Sequence, residues 1–289
     1  MIVKFPKYNE AWGVNSNLNP ELQYHRYYNI HPDYICNLFK YSKTQIQFLD
    51  VNNFKFHNKV CIESYIDDKL VLFDFSDHTS LTYTLDQCSN YTAIFKFHYN
   101  ELLHKDIKNM YTFSPVNFHN WDFYNDIKNA INYKADGLII NKQAPAGNAI
   151  ARRNMVRELL IKTYKTKVDY AITNKELFFM AINNCLVSVC VPGARNDMLD
   201  RGQAQYMFLG ACTISPRLIT QLSYFTKLEP NVHYIECKPD YSDLIEKIEW
   251  CKLNAEKCIE IGNNARNVFL QTSTPEKQIE WIKKCINNE

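Results

Sequence analysis

The alternation of apolar and polar positions is most informative between residues 183 and 250. Leu186 to Pro192 is a short β-branched run ending in Pro-Gly, too short for an independent helix, and it predicts a buried parallel strand. A loop over 193–196 follows. Asp197 to Leu209 then has the pattern of a helix, with Asp197 at the N-cap, Asp200 three residues on and Gly210 closing it. Ala211 to Ser215 predicts the next strand and Val232 to Cys237 a third, after which a turn containing Pro239 leads into a helix capped at Asp240 or Ser242. Strand, helix, strand, helix is half of a doubly wound α/β domain, whose ligands sit outside the carboxyl ends of the strands.

Upstream, the first fifty residues are rich in Tyr and Asn. Turn signals at Asn19-Pro20 and His31-Pro32 predict irregular structure with a helix over 33–41. Lys59 to Tyr65 and Lys69 to Phe75 read as strands separated by the turn Asp67-Asp68. The second is apolar apart from Asp74, the pattern of a central parallel strand. Thr92 to Phe97 and Met110 to Ser114 continue the series. The character changes over 117–136, with a short helical stretch near 126–131, and the interdomain connection belongs there. The expected division is 1–130, 131–270 and a terminal helix in 271–289, with Gly137 to Asn141 as the first strand of the second domain. Leu244, Ile248, Cys251, Ala255 and Cys258 keep helical spacing, with Gly262 as a break, and Thr274-Pro275-Glu276 starts the last helix.

At 289 residues the chain has room for two Rossmann-like halves, and 46% hydrophobic residues supply a core. A net charge of +2 argues against a nucleic-acid partner. The ten cysteines form no CxxC pair, so reduced, buried thiols and no zinc site are expected. No run approaches the ~18 apolar residues of a membrane span. The N-terminus lacks the pattern of a signal peptide, and a soluble cytoplasmic enzyme of a bacterium or large virus is the natural expectation.

Arg201 to Gly210 (RGQAQYMFLG), the strand after it, then Phe225 to Ile235 and Asp240 to Ile248 resemble the closing half of the CAP10-like and protein O-glucosyltransferase family, over roughly 181–269. The resemblance implies a glycosyltransferase of GT-B architecture: α/β, two Rossmann-like domains, and a C-terminal helix crossing back to the first. It also implies UDP-xylose or UDP-glucose as donor and inversion at the anomeric carbon. Arg153-Asn-Met-Val156 matches the family's Arg-x-x-(Leu/Val) pattern after the first strand of the second domain.

The chemistry of such a transfer narrows the candidates. The departing diphosphate gains negative charge, and Asp-x-Asp, the usual metal-holding motif, is absent, so the protein itself must supply the donors. Arginine suits this because its planar fork binds phosphate bidentately. Arg153, Arg157, Arg195 and Arg201 are the donor-phosphate candidates, with ion pairing to Asp197 or Asp200 as the alternative role. The acceptor, a hydroxyl of a glycan or of a protein-linked sugar, needs a general base, for which Asp77 is the first choice and Asp74 the second, with His78 as orienter. Asp77 has a plain alternative as a helix N-cap. His98, His119 and His233 read as structural, the last inside a strand. No cofactor beyond the UDP-sugar is expected. An epimerase-type enzyme on the same fold, or a nonenzymatic interaction module, remains the alternative.

Overall fold

The computed structural model describes residues 1–6, 30–55, 60–76, 78–114, 116, 121, 132–143, 149–171, 175–193 and 195–288, the side chains of 30–34 and 175–176 excepted. Asp77, His119, the Asn19-Pro20 turn signal and the helical stretch near 126–131 lie outside the described residues. The chain divides into two compact units, one of Met1–Trp121, Gln221–Phe225 and Thr272–Glu289, the other of Asp122–Thr220 and Thr226–Gln271.

The first unit holds β1 (Ile2–Pro6), α1 (Ile30–Tyr41), β2 (Gln45–Leu49), β3 (Cys61–Ile66), β4 (Lys69–Asp74), α2 (Leu85–Cys88), β5 (Ala93–Lys96), α3 (Glu101–His104) and β6 (Met110–Thr112). Its strands lie in the order β2-β1-β3-β4-β5-β6. The expectation that Lys69 to Phe75 is flanked by parallel neighbours is half corrected: β4 is parallel to β5 but antiparallel to β3. The cause is the two-residue turn, where Asp67 and Asp68 both take positive φ (46° and 64°), the conformation that closes a tight hairpin. Asp67 Oδ1 also accepts the Ile2 amide at 2.8 Å, which ties the turn to β1. Strands β1 and β2 went unread because alternation in them is hidden by Lys and Gln. Phe73 stacks on Phe95 at 5.2 Å, with Phe113 edge-on at 5.7 Å, at the centre of an aromatic core.

The second unit begins with β7 (Leu138–Ile140), α4 (Ile150–Tyr164), β8 (Val168–Asp169), α5 (Lys175–Asn183) and β9 (Cys185–Val189). It continues with α6 (Arg201–Leu209), β10 (Thr213–Pro216), β11 (Ile235–Cys237), α7 (Leu244–Leu253) and α8 (Ala255–Thr272). All its strand pairings are parallel, in the order β11-β10-β9-β7-β8. Counted along the unit this is the doubly wound order 2-1-3-4-5, whose switch point falls between its first and third strands, β7 and β9. Parallel strands covered on both faces need continuous apolar runs, and Val187, Val189 and Ile214 are fully buried.

Boundaries differ from expectation at several places, and the helix expected to be capped at Asp240 or Ser242 starts after Asp243. The helix expected from Asp197 starts at Arg201, because Asp197 to Leu199 pairs with the segment ahead instead: Ile219 donates to the Asp197 carbonyl at 2.8 Å and Leu199 to Thr220 Oγ1 at 2.9 Å. Asp200 is the true N-cap, accepting the Gly202 amide at 2.8 Å. Gly262 does not break a helix. The break falls at Asn254, and α8 runs unbroken through Gly262. His233 lies in the turn before β11, its Nδ1 accepting the Glu229 amide at 2.9 Å, rather than in a strand.

Helix α9 (Pro275–Asn287) belongs to the first unit, so the C-terminal helix does return to it. Thr274 caps it, with Pro275 in the first turn. Trp281 Nε1 donates to the Thr112 carbonyl at 2.8 Å and Lys69 Nζ to the Ile286 carbonyl at 2.9 Å. Three buried serines complete the attachment: Ser114 Oγ lies 3.1 Å from Ser223 Oγ and accepts from Ser273 Oγ at 2.8 Å. Among the described residues, no helix is long and apolar enough to cross a membrane.

Candidate functional site

The switch point of the second unit is where the fold itself offers a ligand site, and polar side chains converge there. At the end of β7, Asn141 Nδ2 donates to the Val189 carbonyl at 3.3 Å, linking the two strands that part company. Gln143 Oε1 accepts the Val191 amide at 2.5 Å. From α4, Arg153 donates through Nε to the Val191 carbonyl at 3.0 Å and through Nη2 to Asp200 Oδ2 at 3.0 Å. Arg152 holds the Pro192 and Gly193 carbonyls at 2.9 and 2.7 Å. The loop after β9 is therefore fixed by two consecutive arginines, and the start of α6 is fixed through Asp200.

The four arginines expected to meet phosphate divide. Arg153 is buried and committed to backbone and to Asp200, so its charge is already matched. Arg157, one helical turn on, donates to the Gln143 carbonyl at 3.2 Å and lies over the Tyr170 ring at 5.3 Å. Arg201 is half-buried in the first turn of α6. Arg195 is exposed and forms a two-pronged pair with Asp197 at 3.0 and 2.8 Å, the alternative that the sequence left open for it. The structure thus brings Arg153, Arg157 and Arg201 to one end of the sheet, joined through Gln143, Val191 and Asp200. Gln143 and Asn141 were missed by sequence reasoning, since lone amides carry no motif; their place directly after a predicted strand was the available signal.

In the first unit, Asp74 is wholly buried at the end of β4. Oδ1 accepts the Ser76 amide at 2.9 Å and the Ser76 hydroxyl at 2.6 Å; Oδ2 accepts Tyr83 Oη at 3.0 Å and pairs with Lys96 Nζ at 3.0 Å. Lys96, equally buried, also donates to Ser76 Oγ and to the His78 carbonyl, both at 2.8 Å. Every lone-pair direction of Asp74, the second choice for a general base, is thus engaged, and no oxygen reaches solvent. His78 is exposed. Tyr83, beside this carboxylate, has its phenol pushed far above the ordinary range by burial and by Asp74, so it stays a donor.

His104 is a further residue that the sequence did not single out. Its Nδ1 accepts the Asn100 amide at 3.0 Å and its Nε2 faces the Thr79 carbonyl at 2.6 Å, an arrangement satisfied by the neutral ring with hydrogen on Nε2. Burial lowers its pKa. The unfolded chain then binds a proton near the ordinary value of ~6.5 that the folded chain refuses. The stabilisation is complete above that value and is lost as pH falls through it toward the lowered native value. The expected result is a thermal midpoint that declines below about pH 6.5, with a slope of up to about 1.4 kcal/mol per pH unit from this residue, and a shallower decline in His104→Gln. An unchanged slope in that variant would exclude His104 as the source.

Comparison with known proteins gives short sequence matches and likenesses of fold. No family model matches the chain. Uncharacterized protein 179R of Invertebrate iridescent virus 6 is 50% identical over 59 residues, 20% of this chain. Uncharacterized protein 035R of Invertebrate iridescent virus 3 is 33% identical over 64 residues, 22% of this chain. The chain spans only 5% and 6% of those proteins' lengths. Among solved structures, TarM covers 70% of this chain at a TM-score of 0.50 and 14% identity, and the chain spans 45% of TarM. Anabaena HepE in complex with UDP covers 72% at a TM-score of 0.46 and 7% identity. The fold is α/β and GT-B-like, with one parallel doubly wound sheet and one mixed sheet.

Proposed function

We propose that this chain is a glycosyltransferase that takes glucose or xylose from its UDP conjugate and passes it, with inversion and without a metal on the diphosphate, to a hydroxyl of a glycan or a protein-linked sugar. The observation that carries the reading is the switch point of the second unit, where the Arg201-led start of α6 and the arginines of α4 meet the carboxyl ends of β7 and β9. A helix start carries about half a positive charge and unpaired amides, which favour phosphate. The GT-B-like fold and the resemblance of 181–269 to UDP-sugar enzymes agree with that use.

In this reading Arg201 and Arg157 contact the diphosphate. Arg153 acts through Asp200 and Val191, holding α6 and the loop in place, and Arg195 stays paired with Asp197 away from the phosphates. Asp77 is the base that removes the acceptor proton. Its two neighbours are anchored by one buried ion pair: Asp74 binds Ser76, and Lys96 binds both Ser76 and the His78 carbonyl. Asp74 is thus a positioning residue.

Titration with UDP and UDP-sugars, followed by the thermal midpoint, tests this. Ligand at a hundred times its Kd adds about 2.7 kcal/mol to stability. Selective stabilisation by UDP and one UDP-sugar is expected, with the increment unchanged by chelator. Arg201→Ala should weaken UDP by roughly 10- to 100-fold in the folded protein, the effect of removing one charged hydrogen-bond donor. Absence of any nucleotide effect in the folded protein would sink the reading.

A further inference from the structure

A second polar centre lies in the same unit, away from the arginines. Cys212, just ahead of β10, Cys251 on α7 and Cys258 on α8 are all buried and reduced, and their three sulfurs lie within 4.8 Å of one another. Buried thiols are ordinary core residues when scattered, as Cys61, Cys88 and Cys285 are. Three on one spot, from three separate elements, is a different pattern. The spot is also not sealed in hydrocarbon. A cavity of about 290 Å³ is lined by Cys212 and Cys258 together with Tyr133, Asn263 and Arg266. The Tyr133 hydroxyl donates to the Cys251 carbonyl.

We propose that Cys212, Cys251 and Cys258 form a binding site for a thiophilic divalent cation of the zinc type. Zinc–sulfur bonds of about 2.3 Å place tetrahedral ligand sulfurs roughly 3.8 Å apart, so sulfurs within 4.8 Å of one another are about 1 Å or less from that spacing. Each thiol gives up its proton to solvent and its sulfur lone pair to the metal: one M²⁺ and three R–SH give [M(SR)₃]⁻ and three H⁺. The product carries one net negative charge. A monovalent ion such as Cu⁺ would leave two, which is harder to bury, and Arg266 on the cavity wall offsets one. The fourth position faces the cavity and takes water. Such an ion joins β10, α7 and α8 across the break at Asn254, so its role is to hold the nucleotide-side unit together rather than to touch a diphosphate.

The test uses the full chain, reduced, stripped by chelator and titrated with Co²⁺. The expected result is a thiolate-to-cobalt charge-transfer band with the visible bands of four-coordinate cobalt, saturating at one ion per chain, and displaced by Zn²⁺. Binding should release about three protons per ion. Cys212→Ser and Cys258→Ser should each abolish the charge-transfer band, while Cys190→Ser and Cys36→Ser keep it. No band in the wild-type protein, or a band that survives the Cys212→Ser/Cys258→Ser double variant, would overturn the proposal. If the serine variants do not fold, alkylation of the wild-type protein decides the matter: bound Zn²⁺ should slow modification of Cys212, Cys251 and Cys258, mapped by mass spectrometry, and equal modification with and without Zn²⁺ would overturn the proposal. None of these readouts involves nucleotide, so the site stands or falls separately from the transferase reading.

Discussion

Asp74→Asn is expected to lower the unfolding free energy by about 3–5 kcal/mol, a large part of the ~5–15 kcal/mol that holds a typical domain. The carboxylate and the Lys96 ammonium are both completely buried. Two charges in such a place are tolerated because each answers the other and the remaining sites are filled by Ser76, Tyr83 and the His78 carbonyl. The amide removes one charge, leaves the ammonium buried with neutral partners only, and points hydrogens at Tyr83 or Lys96. The exposed Lys4 to Asp68 pair, though shorter at 2.5 Å, should matter by less than about 1 kcal/mol, because water competes for it. Chemical denaturation of Asp74→Asn, Asp68→Asn and Asp74→Asn/Lys96→Met separates the cases. The double variant should recover part of the loss. A single Asp74→Asn no worse than Asp68→Asn would show that the buried pair is not what secures this end of the sheet.

Gly262→Ala is the second large effect. In a mid-helix position alanine is ordinarily better than glycine by about 1 kcal/mol. Here a Cβ would come within 2.1 Å of the Gly210 carbonyl oxygen and 2.9 Å of its carbonyl carbon. Both are backbone atoms, and Gly210 is itself fixed in the left-handed conformation (φ 77°) that ends α6. The two elements must separate, and the expected net loss is about 3 kcal/mol, at the upper end for overpacking. Gly193→Ala, where an added Cβ meets nothing within 4 Å, is the matched control and should be silent. Equal thermal midpoints for the two variants would refute the close contact.

That contact also shows where sequence reading succeeds and where it stops. Local grammar carried far: Gly210 as a helix end, Thr274-Pro275 as a helix start and the Asp67-Asp68 turn are each determined by a few neighbouring residues. Gly262 reads locally as a helix breaker, and only a partner 52 positions upstream, Gly210, gives it another purpose. Asp197 reads as a cap until the pairing with Ile219 and Thr220 is known. Arginines near a helix start were legible as a group, since residue type and position suffice for that. Which of them is consumed internally was not, because Arg153 and Asp200 are 47 residues apart in the chain and meet only in the fold. The cysteines were hidden for the same reason. Cys251 and Cys258 sit on different helices, and the third sulfur arrives from the residue just ahead of β10.

The serine cluster of the first unit sets an order of events. Ser114 meets Ser223 across 109 residues and Ser273 across 159. Closing such long loops is slow, and a chain dominated by distant partners folds late. The second unit is nearly continuous, interrupted only by Gln221–Phe225. During synthesis the strands of the first unit must therefore wait for Trp281 and its helix, while the unit made between them is already complete. Until α9 has been made, the sheet of β1 to β6 lacks its covering helix, and its apolar face is open to chaperones and proteases for the time that the intervening unit takes to make.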